Sequence, residues 1–186
     1  RCTKTVEYQY PKTFYNKAYG KFDLSGVYFK KIIHEIANFI NSSGRENLTV
    51  LDFGCGEGYL KKYCNEKKFS HKIVNYDIIQ ENSEVKEWQG VRFDVFVANH
   101  VFCLFTETEL EDIIQKIKQI NPNVEMIVGV CRAGLVSSIC KTLANQKNAH
   151  SYNRINATEE ISILEKNFKP IGRKNVFFMT DVYKLK

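Results

Sequence analysis

The chain has 186 residues, of which 44% are apolar, 13% aromatic and 26% charged; that is one domain at roughly 100–200 residues per domain, and it excludes disordered, collagen-like and low-complexity chains. The net charge of +6 favours anionic partners, RNA among them, although a Lys-rich surface explains it as well. Apolar runs such as Val95 to Ala98 and Met126 to Val130 fall far short of the roughly 20 residues that span a bilayer, so no membrane-spanning helix is expected.

Residues 1–26 are rich in Tyr, Lys and Phe without a clean period, and read as an N-terminal arm or lid on a core of residues 27–186. Over 27–41, Ile32, Ile33, Ile36, Phe39 and Ile40 recur at helical spacing. Residues 47–53 have the profile of a buried parallel strand and run into Gly54-Cys-Gly-Glu-Gly58 and a short helix over 58–66. Strands are predicted over 72–77 and 92–98, with a polar loop over 78–90 between them. Thr106 and Glu109 form a capping box before a helix whose stripe is Leu110, Ile113, Ile114, Ile117 and Ile120. A fourth strand follows over 124–130, then a helix over 133–145, and another over 159–167 capped by Thr158. Residues 169–185 read as two strands joined near Lys174-Asn175, or one long bent strand. Alternating strands and helices predict an α/β fold: a single domain with a mostly parallel sheet.

Six cysteines, at 2, 55, 64, 103, 131 and 140, include no C-x-x-C pair, so a structural zinc site is not expected. Cys55, Cys103 and Cys131 lie in apolar stretches, where Cys acts as a small hydrophobe. Arg1 to Tyr10 lack the apolar region of a signal peptide. Reduced thiols and a cytoplasmic location are the expectation. His34 and His71 read as surface residues.

The strongest signal is Val50-Leu-Asp52-Phe-Gly54-Cys55-Gly56-Glu-Gly58. A buried strand delivers three alternating glycines to the carboxyl edge of a sheet, where open α/β folds bind ligands. Glycines let the backbone turn tightly and approach a ligand. The dinucleotide fingerprint is G-x-G-x-x-G, whereas this pattern is G-x-G-x-G. An acid two residues before it, Asp52, is poorly suited to a pyrophosphate and suits an ammonium group. Asp77 ends the next strand 25 residues later, where an acid can accept from both hydroxyls of a ribose.

Together with Phe93-Asp-Val-Phe-Val-Ala-Asn99-His100-Val-Phe102, these motifs resemble the class I S-adenosylmethionine-dependent methyltransferases, of the small Rossmann-like kind. The resemblance implies a three-layer sandwich with an antiparallel C-terminal strand, and S-adenosylmethionine as cofactor with S-adenosylhomocysteine as product. It implies Asp52 near the amino-acid moiety of the cofactor, Gly54, Cys55, Gly56 and Gly58 lining it, Asp77 on the ribose, Ile78 on adenine, and Asn99 facing cofactor and acceptor. Only 16 residues separate Asp77 from Asp94, too few for the further strand and helix of most members, so one edge unit is shortened. Trp88 and Val85 are then candidates for covering the base, with a core role as the alternative for Trp88.

His100 follows a strand end and is read as a general base or substrate contact, or else as a histidine at a helix entry. The resemblance also makes His150 a candidate base and Tyr152 an acceptor contact. Arg132 either holds an anionic acceptor or ends a strand. Tyr15, Tyr19 and Tyr28 form a lid or simply pack. The Asn-Pro-Pro-aromatic pattern of adenine amino-group methylation is absent, since Asn99-His-Val-Phe102 stands in its place. Almost nothing is inserted beyond the core, so the preferred acceptor is a small molecule, such as a sugar, lipid-linked or natural-product hydroxyl. An RNA acceptor and a catalytically silent binding subunit are the alternatives.

Overall fold

The computed structural model describes residues 24–132 and 153–186. The predicted helix over 133–145, residues 1–23 of the N-terminal arm, Tyr15, Tyr19, His150 and Tyr152 lie outside the described residues, and the last three residues of the arm, 24–26, belong to the first helix instead. Helix α1 (Leu24–Asn41) leads to β1 (Thr49–Phe53), α2 (Tyr59–Glu66), β2 (Lys72–Tyr76), β3 (Val95–Asn99), α3 (Glu107–Ile120), β4 (Glu125–Cys131), α4 (Ala157–Asn167), β5 (Pro170–Val176) and β6 (Thr180–Leu185). The six strands form one sheet in the order β2-β1-β3-β4-β6-β5. The first four are parallel, and β6 runs antiparallel to both its neighbours.

The strand period of two divides the core between the faces. Val50, Val95, Val97 and Ile127 pack with Ile32, Ile33, Ile36 and Leu60 on the α1 and α2 side. Leu51, Phe96, Ala98 and Val128 pack with Leu110, Ile114, Ile117 and Leu164 on the α3 and α4 side. The result is the expected three-layer sandwich.

The capping box of α3 forms as predicted: Glu109 N–H donates to Thr106 Oγ1 at 3.3 Å and Thr106 N–H donates to Glu109 Oε2 at 2.8 Å. The start of α4 differs, because Asn156 and not Thr158 caps it. Asn156 Oδ1 accepts from the N–H groups of Thr158 and Glu159 at 2.9 and 3.1 Å, while Glu159 Oε2 accepts from Asn156 N–H at 2.8 Å. Asn156 has an acid three residues on and Thr158 has Ile161, so only the earlier start satisfies orphan donors at both ends of the box. The hairpin joins at Phe177–Met179, later than Lys174-Asn175, because both Phe177 and Phe178 adopt positive φ, 50° and 58°. His71 is buried, and burial lowers its pKa.

The shortened edge is real: β2 ends the sheet. Two short 3₁₀ turns, Gln80–Asn82 and Trp88–Gly90, replace a strand and helix. Glu84 covers the open edge. Its N–H donates to Asn75 O at 2.9 Å and its Oε2 accepts from Asn75 N–H at 2.9 Å, so the edge residue is paired without a further strand. Trp88 is 4% exposed, and its ring meets Phe53 at 5.6 Å and Phe96 at 5.8 Å between ring centres.

Glu160 of α4 is buried, and its Oε1 has no hydrogen-bond partner. Burial raises its pKa from 4.5 to about 8. The folded state therefore holds this proton more tightly than the unfolded chain, and stability falls as pH rises from about 4.5 to about 8. Asp52, raised from 3.8 to about 7, adds a slope of the same sign. Glu160→Gln should remove its share alone: in urea titrations at pH 5 and pH 8, the variant loses less stability between the two than the parent does.

Candidate active site

The site is built at the carboxyl ends of β1 and β3. Val50 and Val97 set which face of the sheet Asp52 and Asn99 share, since each lies two residues from the other on its strand. Both line a cleft with Ile33 and Ile36 of α1, the glycine turn, and Tyr59 and Leu60 at the start of α2. An acid thus stands where the strand pattern calls for a third apolar residue.

Gly54, Gly56 and Gly58 all have positive φ, 73°, 54° and 71°, the left-handed region that L side chains rarely enter. Gly54 and Gly58 are confined, because an added Cβ would lie 2.5 Å from a Val101 methyl or from Asn75 Nδ2. At Gly56 an added Cβ would meet nothing within 4 Å. The middle glycine therefore faces open space, and the outer two make the turn.

Asp77 closes the turn from the neighbouring strand. Its Oδ2 accepts from Gly56 N–H at 2.8 Å, and its Oδ1 accepts from Ile79 N–H at 2.9 Å. Gly54 and Cys55 donate their N–H groups to Tyr76 O at 2.8 and 3.1 Å. Desolvation, and secondarily the charge of Asp77, raises the pKa of the buried Asp52 to about 7. The single S–H of Cys55 is shared between Gly56 O and Asn82 O, each 3.5 Å away, and burial pushes its pKa up, so it stays a neutral thiol. Ile78, just past Asp77, is 66% exposed.

Asn99 has a buried Oδ1 without a partner. Gly129 makes room for it, since a Cβ there would lie 2.2 Å from that oxygen. His100 has φ 58° and donates its N–H to Gly129 O at 2.9 Å. Its Nε2 lies 2.9 Å from Thr180 Oγ1, which also hydrogen-bonds the Tyr28 hydroxyl. A non-glycine residue held left-handed costs on the order of 1–3 kcal/mol and is a common mark of functional sites.

The structure thus brings together Asp52, Gly54, Cys55, Gly56, Gly58, Asp77 and Asn99, with Ile78 and His100 at the margins. Trp88 is not among them: it is a core residue of the aromatic cluster around Phe53. Val85 packs against that same core. Arg132 follows the last residue of β4, with its N–H on Met179 O at 2.8 Å and its Nε 3.4 Å from the buried Asp181 carboxylate. Sequence reasoning missed Gly129 and Thr180. Gly129 had a signal, a glycine inside an apolar strand, which marks close approach. Thr180 had none.

A family described as a methyltransferase domain matches residues 26–154. No curated protein matches the chain in sequence. Among solved structures, magnesium protoporphyrin IX methyltransferase from Synechocystis PCC 6803, with bound SAM, is 13% identical, covers 92% of this chain and 88% of its own, and has a TM-score of 0.60. The 1,6-didemethyltoxoflavin-N1-methyltransferase of Burkholderia thailandensis is 14% identical over 82% of this chain and 76% of its own, with a TM-score of 0.58. The N-methyltransferase NodS of Bradyrhizobium japonicum WM9 is 12% identical over 91% and 94%, with a TM-score of 0.55. At these identities the likeness is one of fold. Because the family match runs from α1 to the residues before α4, the chain belongs to the methyltransferase-domain family, of the class I S-adenosylmethionine-dependent type.

Proposed function

We propose that this domain moves the methyl group of S-adenosylmethionine to a hydroxyl of a small molecule, such as a sugar, lipid-linked or natural-product acceptor. The observation that carries the cofactor reading is the pair of buried acids, Asp52 and Asp77, around a left-handed Gly56 whose α-carbon faces open space. The residues fit the group. An ammonium suits Asp52 and the unpartnered Asn99 Oδ1, a ribose diol suits the Asp77 oxygens, whose two N–H partners leave acceptor capacity unused, and a flat apolar base suits the exposed Ile78. Bound S-adenosylmethionine supplies a sulfonium methyl that a nucleophile displaces in one step.

The chain's task is then alignment and exclusion of water, which can supply on the order of 7–11 kcal/mol. In our reading His100 takes the acceptor hydroxyl's proton as the new C–O bond forms and the S–CH₃ bond breaks. A general base of this kind adds about 10²–10⁴-fold. Arg132, Tyr15, Tyr19 and Tyr152 are read as acceptor contacts, and His150 as a second base. The names of proteins with this fold, magnesium protoporphyrin IX methyltransferase and 1,6-didemethyltoxoflavin-N1-methyltransferase, support a small-molecule acceptor.

Two outcomes test the cofactor reading. Asp77→Asn should weaken S-adenosylhomocysteine binding in calorimetry at least about 100-fold, about 2.7 kcal/mol, while the glycine turn keeps an acceptor for Gly56 N–H. Unchanged affinity contradicts the ribose role. Binding an ammonium requires ionised Asp52, so affinity should fall roughly tenfold per pH unit below about 7. Asp52→Asn should flatten that profile between pH 5.5 and 7.

A further inference from the structure

The β5–β6 turn carries two adjacent phenylalanines, Phe177 and Phe178, that are 51% and 72% exposed. Both have positive φ, and Met179 N–H donates to Val176 O at 3.0 Å across them. Positive φ at both central residues is the signature of a type I′ turn, which Asn-Gly makes without strain. A bulky aromatic there is an outlier. The turn is nonetheless pinned: Asn175 Oδ1 accepts from Phe178 N–H at 2.9 Å, and Asn175 Nδ2 donates to Asp181 Oδ1 at 2.8 Å. Phe178 is strained and mostly exposed, and Phe177 is strained and only half-covered, so the backbone strain is not repaid by burial of the rings.

Thr180, three residues past Phe177, is paired with Cys131 at the carboxyl end of β4. Its Oγ1 hydrogen-bonds both the Tyr28 hydroxyl and His100 Nε2. The Phe177 ring lies 6.3 Å from that of Tyr28. The aromatic turn is therefore continuous, through Tyr28 and Thr180, with His100 beside the cleft.

We propose that Phe177, Phe178 and Tyr28 form the platform that seats the apolar, ring-bearing part of the acceptor, with the acceptor hydroxyl directed to His100. The proposal rests on the methyltransferase reading above and narrows its acceptor class from hydroxyls in general to hydroxyls on an apolar ring. Aromatic rings gain most from another flat apolar ring, in offset-stacked or edge-to-face contact.

The test uses the full chain saturated with S-adenosylhomocysteine and 2-naphthol as the fluorescent probe, with glucose as the polar competitor. The variant replaces Phe177 with Asn and Phe178 with Gly, the residues an unstrained I′ turn prefers. The proposal expects 2-naphthol to bind the parent without competition from glucose. It expects the variant to lose at least about tenfold in 2-naphthol affinity, to keep its S-adenosylhomocysteine affinity, and to melt about 4 °C higher as strain is relieved. Phe178→Ser should lose probe affinity in the same way. The proposal is overturned if the parent does not bind 2-naphthol, if the variants bind it unchanged, if glucose competes equally, or if the substitutions turn a dimer into a monomer, which would make the rings a contact between copies. S-adenosylhomocysteine binding separates the failures. Normal binding with unchanged 2-naphthol affinity sinks the platform alone, whereas no binding to the parent sinks the methyltransferase reading beneath it.

Discussion

Asp77 accepts one backbone N–H from the glycine turn and one from the segment that follows its own strand. A carboxylate tied to Gly56 and Ile79 fixes three chain segments at one point: the end of β1, the end of β2 and the start of the 3₁₀ turns. The left-handed glycines depend on that tie, because a turn with three positive φ angles has no ladder of its own to hold it. Tyr76 O adds two more N–H bonds to the same turn. The cleft keeps its shape because the turn is anchored from the neighbouring strand.

The same arrangement sets the electrostatics. Asp52 is buried on the α1 and α2 face and within reach of the charge on Asp77, so its proton is held to about pH 7. A cation arriving beside it would repay the desolvation that the empty carboxylate suffers. In the proposed reading the site takes a positively charged group at the Asp52 end and a diol at the Asp77 end. The loss of the outer strand does not disturb this, because Trp88, Phe53, Phe96 and Phe102 fill the far side with ring contacts between 5.3 and 6.4 Å. Glu84 satisfies the exposed edge.

Much of this was legible in the residues, and for local reasons. Alternating glycines after a β-branched run, an acid ending the next strand, and Thr106 with Glu109 each act within a few residues, so spacing alone finds them. The 16 residues between Asp77 and Asp94 exposed the missing edge unit by length. What escaped depends on packing between distant segments. Trp88 could stack on a base or fill a core, and only the position of Phe53 decides. Thr180 joins Tyr28 to His100 across separations of 152 and 80 residues, which no local pattern carries. The Phe177-Phe178 turn escaped because its φ angles belong to Asn-Gly, and bulky residues in that conformation read as strand. Thr158 has a capping side chain by itself, but only Asn156 has the acid three residues on, Glu159, that closes the box.

The central claim is that the glycine turn with Asp52 and Asp77 holds S-adenosylmethionine and not a dinucleotide. Thermal unfolding of the full chain with S-adenosylhomocysteine or with NAD, each at about 100 times its dissociation constant for a site of its own kind, tests it most directly. Binding to the native state adds about 2.7 kcal/mol, a shift of roughly 5–11 °C for a chain of this size. The account predicts that shift with S-adenosylhomocysteine and none with NAD. A shift with NAD alone, or with neither, would contradict it.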